Sequence, residues 1–330
     1  MNTLMDMTTP LGAWLRGGLE QVSSVMSDHL INKHQEVAAV CGELEAYKGK
    51  MLRPSMVLLS WKAVCDTQEA PQEAPRETIT AAGVVELIHL ATLVHDDVLD
   101  DADLRRGTRT INCLHGNEAA VMLGDYLLSS AFLLCSTIKN PELNVLLGRV
   151  TNTLCAGELV QLANRNNIDL DIDSYYQIIH DKTASLIAAS CEMGALLGGG
   201  DGFQISALKK FGSSIGTAFQ IRDDLLDLLG EREFIGKPAG RDLEKGKLTL
   251  PIILMLGENA KLRPLVSKVM QNNDRGGLRE LLESTGSLDK AFAEVQRLVN
   301  TAISGVRDCV TNTASEQLCS LAEQLTVRVF

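Results

Sequence analysis

The sequence of 330 residues is poor in aromatic residues, which make up 4% of it, although 45% of the residues are hydrophobic. The core must therefore consist mostly of Leu, Ala, Val and Ile, and this composition favours packed helices. Basic residues are also in deficit, because 31 Lys and Arg stand against 42 Asp and Glu and give a net charge of −11. This charge argues against a nucleic-acid partner and against electrostatic attraction to an anionic membrane.

The eight cysteines include no C-x-x-C pair, and most of them lie in apolar helical contexts. They indicate reduced thiols in a cytoplasmic protein. The N-terminal segment MNTLMDMTTPLGAW has no basic region followed by an apolar one, so no signal peptide is predicted. No apolar run approaches the length expected of a membrane span.

Apolar residues recur at spacings of three and four almost throughout, and alternating β patterns are scarce. The spacing predicts an all-α fold with helices near 11–33, 36–47, 51–65, 78–101, 117–138, 142–165, 174–198, 204–229, 248–257, 261–272, 275–285, 288–307 and 315–328. Asn140-Pro141 and Asp173-Ser174 are predicted to open two of these helices. Loops are predicted at 66–78 and 230–247. Neither loop separates domains, so we expect a single domain over 1–330.

One acidic pattern, D-D-x-x-D, occurs twice, each time at the end of an apolar helical segment. The first aspartate cluster is Asp96, Asp97 and Asp100, and the second aspartate cluster is Asp223, Asp224 and Asp227. Positions i and i+4 share one helix face, where two carboxylates destabilise the helix unless a cation is present. One such cluster is typical of a solvated surface, but two identical copies indicate carboxylate platforms that face each other across a cavity. Carboxylate oxygens of this kind suit Mg²⁺, which completes its shell with water and substrate phosphates.

Basic residues near these clusters indicate two polyanionic substrates, one bound through Mg²⁺ and one bound directly. They are Lys50, Arg53, Arg105, Arg106, Lys182, Lys237 and Lys247. Apolar positions on the same stretches predict the walls of the cavity: Ile88, Ala91, Thr92, Leu123, Leu127 and Phe132. Charged groups at the mouth and an apolar interior indicate a substrate with a hydrocarbon tail and a diphosphate head.

At these residues the sequence resembles the trans-isoprenyl diphosphate synthases, and among them the medium- and long-chain type such as octaprenyl diphosphate synthase. The motifs are GKMLRP at 49–54, ELIHLATLVHDDVLDDADLRRG at 86–107, GDYLLSSAF at 124–132, KTA at 182–184, and FQIRDDLLD with GKPAGRDLEKGKLTLP within 219–251. The resemblance covers most of the chain in the order of the family. It implies the isoprenoid synthase fold, a single large helical bundle around a central cavity.

The resemblance also implies a role for individual residues. Asp96 and Asp100, supported by Asp97, would bind two Mg²⁺, and Asp223, supported by Asp224 and Asp227, would bind a third. The allylic diphosphate would contact Arg105, Lys182, Thr183, Gln220, Lys237 and Lys247. Isopentenyl diphosphate would contact Lys50, Arg53, His89 and Arg106. The catalytic set is then Asp96, Asp97, Asp100, Lys182, Asp223 and Asp224. A homodimer is expected, with at most peripheral membrane contact for product release.

The implied reaction is a Mg²⁺-dependent 1′-4 head-to-tail condensation. The small residues Ala91 and Thr92 stand one turn before the first aspartate, where relatives with short products carry bulky aromatics. They predict a product of roughly 30 to 50 carbons for quinone side chains, with Phe132 either the floor of the tunnel or an ordinary core residue. The alternatives are a shorter-chain synthase, a class I terpene cyclase and a non-catalytic synthase subunit. A cyclase does not need Lys50, Arg53 and Arg106, and a non-catalytic subunit typically loses one aspartate cluster.

Overall fold

A computed structural model describes residues 9–65, 73–229 and 240–327 of the chain. In the first half, the helices are α1 Pro10–Leu30, α2 Gln35–Gly42, α3 Leu52–Cys65, α4 Arg76–Leu99, α5 Ile111–His115, α6 Asn117–Cys135 and α7 Pro141–Ala163. Further along are α8 Ile172–Ile179, α9 Ser185–Leu197, α10 Gly202–Leu229, α11 Arg241–Glu244, α12 Leu250–Glu258, α13 Arg263–Gln271, α14 Arg275–Ser284, α15 Ser287–Arg307 and α16 Thr313–Val327. The all-α prediction is confirmed, and the strands of the described residues form one short hairpin, β1 Leu104–Arg105 and β2 Thr108–Arg109.

The chain divides into two compact units. Unit 1 comprises Met1–Thr151, Leu186–Lys210 and Gly305–Leu321, and unit 2 comprises Asn152–Ser185, Phe211–Ser304 and Ala322–Phe330. The first aspartate cluster belongs to unit 1, and the second belongs to unit 2. The expectation of a single domain over 1–330 stays a prediction.

Unit 1 is organised around α4, which packs against α1, α3 and α6. Side chains all around this helix are buried, including Leu87, Ile88 and Ala91, so it behaves as a core helix. The two helices α4 and α6 approach each other closely at Gly124, where an added Cβ would lie 2.0 Å from Nε2 of His95. This contact fixes the end of α4 immediately before Asp96.

Two helices, α4 and α6, are long and apolar enough to cross a membrane by length and composition alone. The prediction that no run approaches this length was therefore wrong for both. Of the most apolar stretch of α4, 78% is buried inside the protein, as expected of a core helix. Of the corresponding stretch of α6, 44% is buried. The exposed part of α6 carries apolar side chains that include Met122, Phe132 and Leu133.

In unit 2, the helix α12 contacts α8 and α14, and α13 contacts α14. The core side chains of α12 include Ile252, Met255 and Leu256. The turn between α8 and α9 is not α-helical, because His180–Ala184 form a single π-helical turn. Such π turns within helices frequently occur at functional sites.

The boundaries predicted from the sequence agree with most of these helices, including the start of α7 at Pro141. The start of α8 was predicted two residues too late, because Asp171 is the N-cap and its carboxylate accepts from the Ser174 N–H. The hairpin, α5 and α11 were missed, since elements of two to five residues are too short for a periodic pattern. Residues 66–72 of the predicted loop 66–78 and residues 230–239 of the predicted loop 230–247 lie outside the described residues.

Candidate active site

The first aspartate cluster lies at the C-terminal end of α4. Asp100 is the C-cap, and its N–H donates to the carbonyl of Asp96 at 2.8 Å. Asp96 and Asp100 are half-buried, and Asp97 is 1% exposed. The three residues are thus one turn of chain, with two carboxylates near the surface and one directed into the protein.

The buried carboxylate of Asp97 is paired with a cation. Arg105 Nη2 donates to Oδ1 at 2.7 Å and Arg105 Nε donates to Oδ2 at 2.9 Å, which is a bidentate pair. The hydroxyl of Tyr47 donates to Oδ2 at 2.7 Å and accepts from the N–H of Ile111 at 3.2 Å. The Arg105 guanidinium also lies over the Tyr47 ring, 5.6 Å from its centroid. Asp97 therefore fixes Arg105 through the bidentate pair, and the Tyr47 hydroxyl holds Asp97 itself in place.

The hairpin that carries Arg105 positions the next residue, Arg106. The turn residues Arg106 and Gly107 have φ values of 51° and 81°, as a two-residue hairpin of the type I′ class requires. Nη1 of Arg106 donates to the carbonyls of Lys48 at 2.6 Å and Tyr47 at 3.3 Å. A Cβ added to Gly49 would meet Arg106 Nη2 at 3.1 Å, so the glycine admits the guanidinium.

Left-handed backbone occurs three times beside predicted site residues of unit 1. Met51, Asp101 and Arg106 have φ values of 52°, 46° and 51°. Each of these costs about 1 kcal/mol or more and persists only where the surroundings enforce it. Such strain typically clusters at functional sites, and here it follows Lys50, Asp100 and Arg105 directly.

Arg53 and His89 lie in the same unit near a buried carboxylate, Glu86. Nε of Arg53 is buried and has no hydrogen-bond partner, and burial lowers the pKa of Arg53 to about 10. Burial, together with Arg53, Arg105 and Arg106, lowers the pKa of His89 well below its usual value, so this imidazole is neutral. An unpaired, buried guanidinium nitrogen fits a site that is completed by an anionic ligand.

The second aspartate cluster repeats this arrangement in unit 2 with different partners. Asp224 is 7% exposed and accepts from the Tyr175 hydroxyl at 2.7 Å and from Gln220 Nε2 at 2.8 Å. Gln220 Oε1 in turn accepts from the Thr183 hydroxyl at 2.7 Å. Burial and the nearby carboxylate of Asp242 raise the pKa of Asp224 to about 8. Asp223 is exposed.

The third carboxylate of this cluster, Asp227, caps the chain that leads into α11. Its Oδ1 accepts from the N–H groups of Gly240 at 3.0 Å and Arg241 at 3.2 Å, and its Oδ2 accepts from the N–H of Asp242 at 3.0 Å. Burial, and next the carboxylate of Asp242, raise the pKa of Asp227. Asp242 also lies 3.4 Å from Lys247 Nζ. The motif that was predicted to bind metal is therefore also the anchor of the following segment.

Lys182 and Thr183 lie on the π turn between α8 and α9. Lys182 forms an ion pair with Glu158 and donates to Gln161 Oε1 at 3.0 Å. Two glycines let neighbouring helices approach this turn. A Cβ on Gly157 would lie 2.8 Å from the Lys182 N atom, and one on Gly216 would lie 2.5 Å from Ala184 Cα. The turn is thus held on two sides.

A cleft of about 570 Å³, counting its open mouth, joins these groups of unit 2. Its polar lining includes Gln161, Lys182, Thr183, Gln220, Asp224, Asp242 and Lys247, and its apolar lining includes Leu170, Tyr175, Ile178, Ile179 and Leu248. Hydrogen-bonding and cationic groups therefore converge on one concave surface, as in a ligand site.

The structure groups the predicted residues into two sets. Unit 1 holds Lys50, Arg53, His89, Asp96, Asp97, Asp100, Arg105 and Arg106, and unit 2 holds Lys182, Thr183, Gln220, Asp223, Asp224, Asp227 and Lys247. Lys237 lies outside the described residues. The expectation that the two aspartate clusters face each other across a cavity stays a prediction.

Four residues of these sets were missed in the sequence: Tyr47, Glu86, Tyr175 and Asp242. Glu86 carried a usable signal, because it interrupts the apolar run GVVELIHL of a helix that is buried on all sides. Tyr47 and Tyr175 carried none, since buried tyrosines are ordinary core residues until their hydroxyl partners are known.

The donor groups fit Mg²⁺ better than a metal with a closed protein cage. Among the residues that the structure describes, no group of three or more His, Cys, Asp and Glu is arranged to hold a metal ion. Mg²⁺ commonly takes one or two protein carboxylates and fills its remaining positions with water and substrate phosphate. Asp96 and Asp100, joined by the backbone hydrogen bond at the end of α4, supply such a pair.

Comparison with known proteins agrees with these features. The heptaprenyl diphosphate synthase component 2 of Geobacillus stearothermophilus is 35% identical over 258 residues, which are 77% of this chain and 78% of the relative. The octaprenyl diphosphate synthase of Escherichia coli (strain K12) is 34% identical over 269 residues, which are 77% of this chain and 81% of the relative.

A solved structure and a family model give the same assignment. The crystal structure of a polyprenyl synthase from Caulobacter crescentus CB15, complexed with calcium and isoprenyl diphosphate, matches with a TM-score of 0.86 and 29% identity over 97% of each chain. This likeness confirms the isoprenoid synthase fold. The family model described as Polyprenyl synthetase matches residues 34–284, which is more than half of the chain. The chain therefore belongs to the polyprenyl synthetase family, a family of prenyltransferases.

Proposed function

We propose that this chain condenses isopentenyl diphosphate with an allylic diphosphate in a 1′-4 head-to-tail reaction and repeats the step to give a polyprenyl diphosphate of roughly 30 to 50 carbons. The observation that carries the proposal is that each aspartate cluster has its own set of cationic or hydrogen-bonding side chains. Arg105 and Arg106 accompany the first cluster, and Lys182 accompanies the second. Two carboxylate clusters with two sets of donors suit a reaction between two diphosphates.

The metal ligands in this proposal are Asp96 and Asp100 in the first cluster and Asp223 and Asp227 in the second, for three Mg²⁺ in total. When bound, Mg²⁺ neutralises the diphosphate that leaves the allylic carbon. Asp97 acts mainly by fixing Arg105, because it is almost fully buried and its oxygens accept from the side chains of Arg105 and Tyr47. Asp224 acts in the same way on Gln220.

The remaining side chains bind and orient the two substrates. The allylic diphosphate contacts Arg105, Lys182, Thr183, Gln220 and Lys247, and Lys237 is assigned to it from the sequence motif alone. Isopentenyl diphosphate contacts Lys50, Arg53, His89 and Arg106. The unpaired Nε of Arg53 and the neutral imidazole of His89 suit this second site, because each can donate a hydrogen bond to a phosphate oxygen. Holding the two substrates side by side converts the condensation into an effectively unimolecular step.

An incorporation assay tests the reaction. Labelled isopentenyl diphosphate is supplied with geranyl, farnesyl or geranylgeranyl diphosphate and Mg²⁺, and the length of the product is read by chromatography. We expect extension by five-carbon units that depends on both the metal and the allylic starter. A hydrocarbon product from farnesyl diphosphate alone would favour a terpene cyclase, and inactivity without another protein would favour a non-catalytic subunit.

Product length is assigned to Ala91, which is fully buried on α4. Phe132, the candidate floor of the tunnel, is 41% exposed on α6. We expect Ala91→Phe to shorten the product, because an aromatic ring fills the path of the growing tail. The measurement is the product ladder by thin-layer chromatography, with Ala91→Ser as a control of similar size. An unchanged ladder in a folded Ala91→Phe variant contradicts this assignment.

A homodimer is part of the proposal. The outer face of α6 exposes Met122 to 63%, Leu133 to 63% and Phe132 to 41%, and Val145 on α7 is exposed to 62%. A second copy of the chain that covers this apolar face removes it from water. The proposal also places the dimer in the cytoplasm, with at most peripheral contact with a membrane. Sedimentation velocity is expected to give a dimer, and the Met122→Glu/Leu133→Glu variant is expected to give a monomer. A wild-type monomer at micromolar concentration would contradict the dimer.

A further inference from the structure

Glu86 is a buried carboxylate with an unsatisfied oxygen. It lies in the middle of α4, is 3% exposed, and its Oε2 has no hydrogen-bond partner. Burial raises the pKa of Glu86 to about 7, although the positive charges of Arg53 and Arg106 act in the opposite direction. An isolated buried carboxylate is costly to ionise, so its charge depends on those two arginines.

The two arginines stabilise the ionised form of Glu86 through their positive charge. Nε of Arg53 is itself buried and without a partner. Nη1 of Arg106 donates to the carbonyls of Tyr47 and Lys48. The other ionisable groups around Glu86 are already committed or neutral. Arg105 is paired with Asp97, and the pKa of His89 is well below its usual value.

The cavity beside Glu86 supplies no other cation for the carboxylate. This cavity of about 1030 Å³, counting its open mouth, is lined by residues of α1, α2 and α4 and by the segment before α3. Its ionisable residues besides Glu86 are Cys41, Glu45 and Lys48. Glu45 and Lys48 form an ion pair with each other at 2.5 Å, and burial raises the pKa of the Cys41 thiol. The ionised form of Glu86 therefore relies on Arg53 and Arg106.

We propose that Glu86 takes up one proton from solvent when a diphosphate binds to Arg53 and Arg106. The inference rests on the proposed function, which assigns these two arginines to isopentenyl diphosphate. A bound diphosphate neutralises both guanidinium groups and brings further negative charge close to the carboxylate. Glu86 then loses the interactions that favour its ionised form, and its protonated form becomes the stable one.

The cavity provides a route for the proton. It lies against Glu86 and is also lined by the hydroxyls of Ser23 and Ser27 and the amide of Asn32, which are groups that hold water. No bond of the substrate is made or broken in this step. The proton moves from a solvent acid to the Glu86 carboxylate, and the net charge of the site becomes less negative by one. Binding of isopentenyl diphosphate is thus coupled to pH through Glu86, which acts on the substrate through Arg53 and Arg106.

The test compares wild type with Glu86→Gln, which mimics the protonated carboxyl. Isothermal titration of isopentenyl diphosphate at pH 7.5, in buffers of different ionisation enthalpy, gives the number of protons taken up. Because titration of the diphosphate itself is common to both proteins, the readout is the difference between them. We expect wild type to take up roughly three-quarters of a proton more per site than Glu86→Gln, because a carboxyl with a pKa of about 7 is mostly ionised at pH 7.5 before binding.

The ratio of dissociation constants is a second readout. Between pH 7 and pH 8.5, the wild-type Kd is expected to rise about tenfold relative to that of Glu86→Gln, because ionised Glu86 must be protonated for binding. Glu45→Gln is the matched control, since it removes a carboxylate from the wall of the same cavity where it is exposed and paired. It is expected to match wild type in both readouts.

Equal proton uptake in wild type and in folded Glu86→Gln overturns the inference. If that variant does not fold, Glu86→Met replaces it, because methionine has a similar length and no ionisable group. Difference infrared spectra of wild-type protein labelled with ¹³C-glutamate give an independent answer, since binding is expected to increase the protonated-carboxyl band. Wild-type turnover is measured in the same preparation. Turnover without extra proton uptake overturns this inference alone, and absence of both binding and turnover overturns the proposed function as well.

Discussion

The two aspartate clusters have the same sequence pattern, but the structure gives their middle carboxylates different environments. Asp97 and Asp224 are both buried, and each accepts a 2.7 Å hydrogen bond from a tyrosine hydroxyl. Asp97 is also paired with the guanidinium of Arg105, whereas the other recorded donor to Asp224 is the neutral amide of Gln220. Equal spacing in the sequence therefore does not imply equal electrostatics.

This difference shows how one motif supports two kinds of site. A carboxylate that accepts a bidentate pair of hydrogen bonds from an arginine is held rigidly, and so is the arginine. A buried carboxylate without a cation has a raised pKa, and its charge state responds to any cation that arrives nearby. The first cluster thus holds the side chains of Asp97 and Arg105 in place before ligands bind, and we expect the second cluster to respond more strongly to a metal ion.

The largest expected effect comes from the first carboxylate of each cluster. Asp96→Asn and Asp223→Asn are each expected to lower kcat by on the order of 10³, because each removes a proposed ligand of the Mg²⁺ that would neutralise the leaving diphosphate. The loss is expected to be greater for Asp96→Asn, since the first cluster is assigned two of the three ions. Steady-state kinetics over a range of Mg²⁺ concentrations measure both losses. Near-normal kcat in either variant would contradict the assignment of that cluster.

The middle carboxylates are expected to differ in their effect on stability. Asp97→Asn leaves the buried guanidinium of Arg105 without its counter-ion and is expected to lower the free energy of unfolding by about 3–5 kcal/mol. Asp224→Asn removes a carboxylate that is costly to ionise, so at pH 8.5 without metal its effect is expected to stay within about 1 kcal/mol. Urea unfolding in EDTA measures both. Equal destabilisation would show that the two environments are equivalent.

Asp224→Asn is also expected to change the pH dependence of stability. The folded-state pKa of Asp224, about 8, is above its value in an unfolded chain, so wild-type stability decreases as pH rises from about 4 to about 8. Asp224→Asn removes this contribution, and its stability is expected to vary less over that window. Unfolding free energies at intervals of one pH unit measure the two slopes. A slope equal to that of wild type would show that Asp224 does not titrate in this range.

The smallest expected difference concerns the two tyrosines. Tyr47→Phe removes the hydrogen bond to Asp97 and leaves the buried N–H of Ile111 without its acceptor, which is expected to cost about 2–3 kcal/mol. Tyr175→Phe removes its hydrogen bond to Asp224 and is expected to cost about 1 kcal/mol. Thermal unfolding at pH 8 ranks the two variants. The reverse order would mean that the Ile111 contact contributes little.

Helix positions were predictable because they depend on local patterns. The spacing of apolar residues gave the extent of α4 and α10, and Pro141 marked the start of α7. The hairpin 104–109 was not predictable in this way, although it positions Arg105 and Arg106. Its strands have two residues each, and it depends on left-handed backbone at Arg106, which no pattern of apolar residues indicates.

The site was predictable as a set of residue types and less so as a set of contacts. Two D-D-x-x-D patterns and the accompanying cations were sufficient to indicate diphosphate chemistry, because carboxylates and cations carry their charge in any conformation. The partner of each carboxylate was not predictable. Tyr47 is 50 residues from Asp97, and Tyr175 is 49 residues from Asp224, so only folding brings each pair together.

By itself, the sequence determined that this protein is helical and indicated a chemistry of metal ions and phosphates, since helix periodicity and side-chain charge are local properties. The tertiary structure decided which aspartate pairs with an arginine, which one is buried without a cation, and that Glu86 is buried beside Arg53 and Arg106. The physical reason is that desolvation and ion pairing depend on the distance between atoms in space, and residues far apart in the chain set those distances.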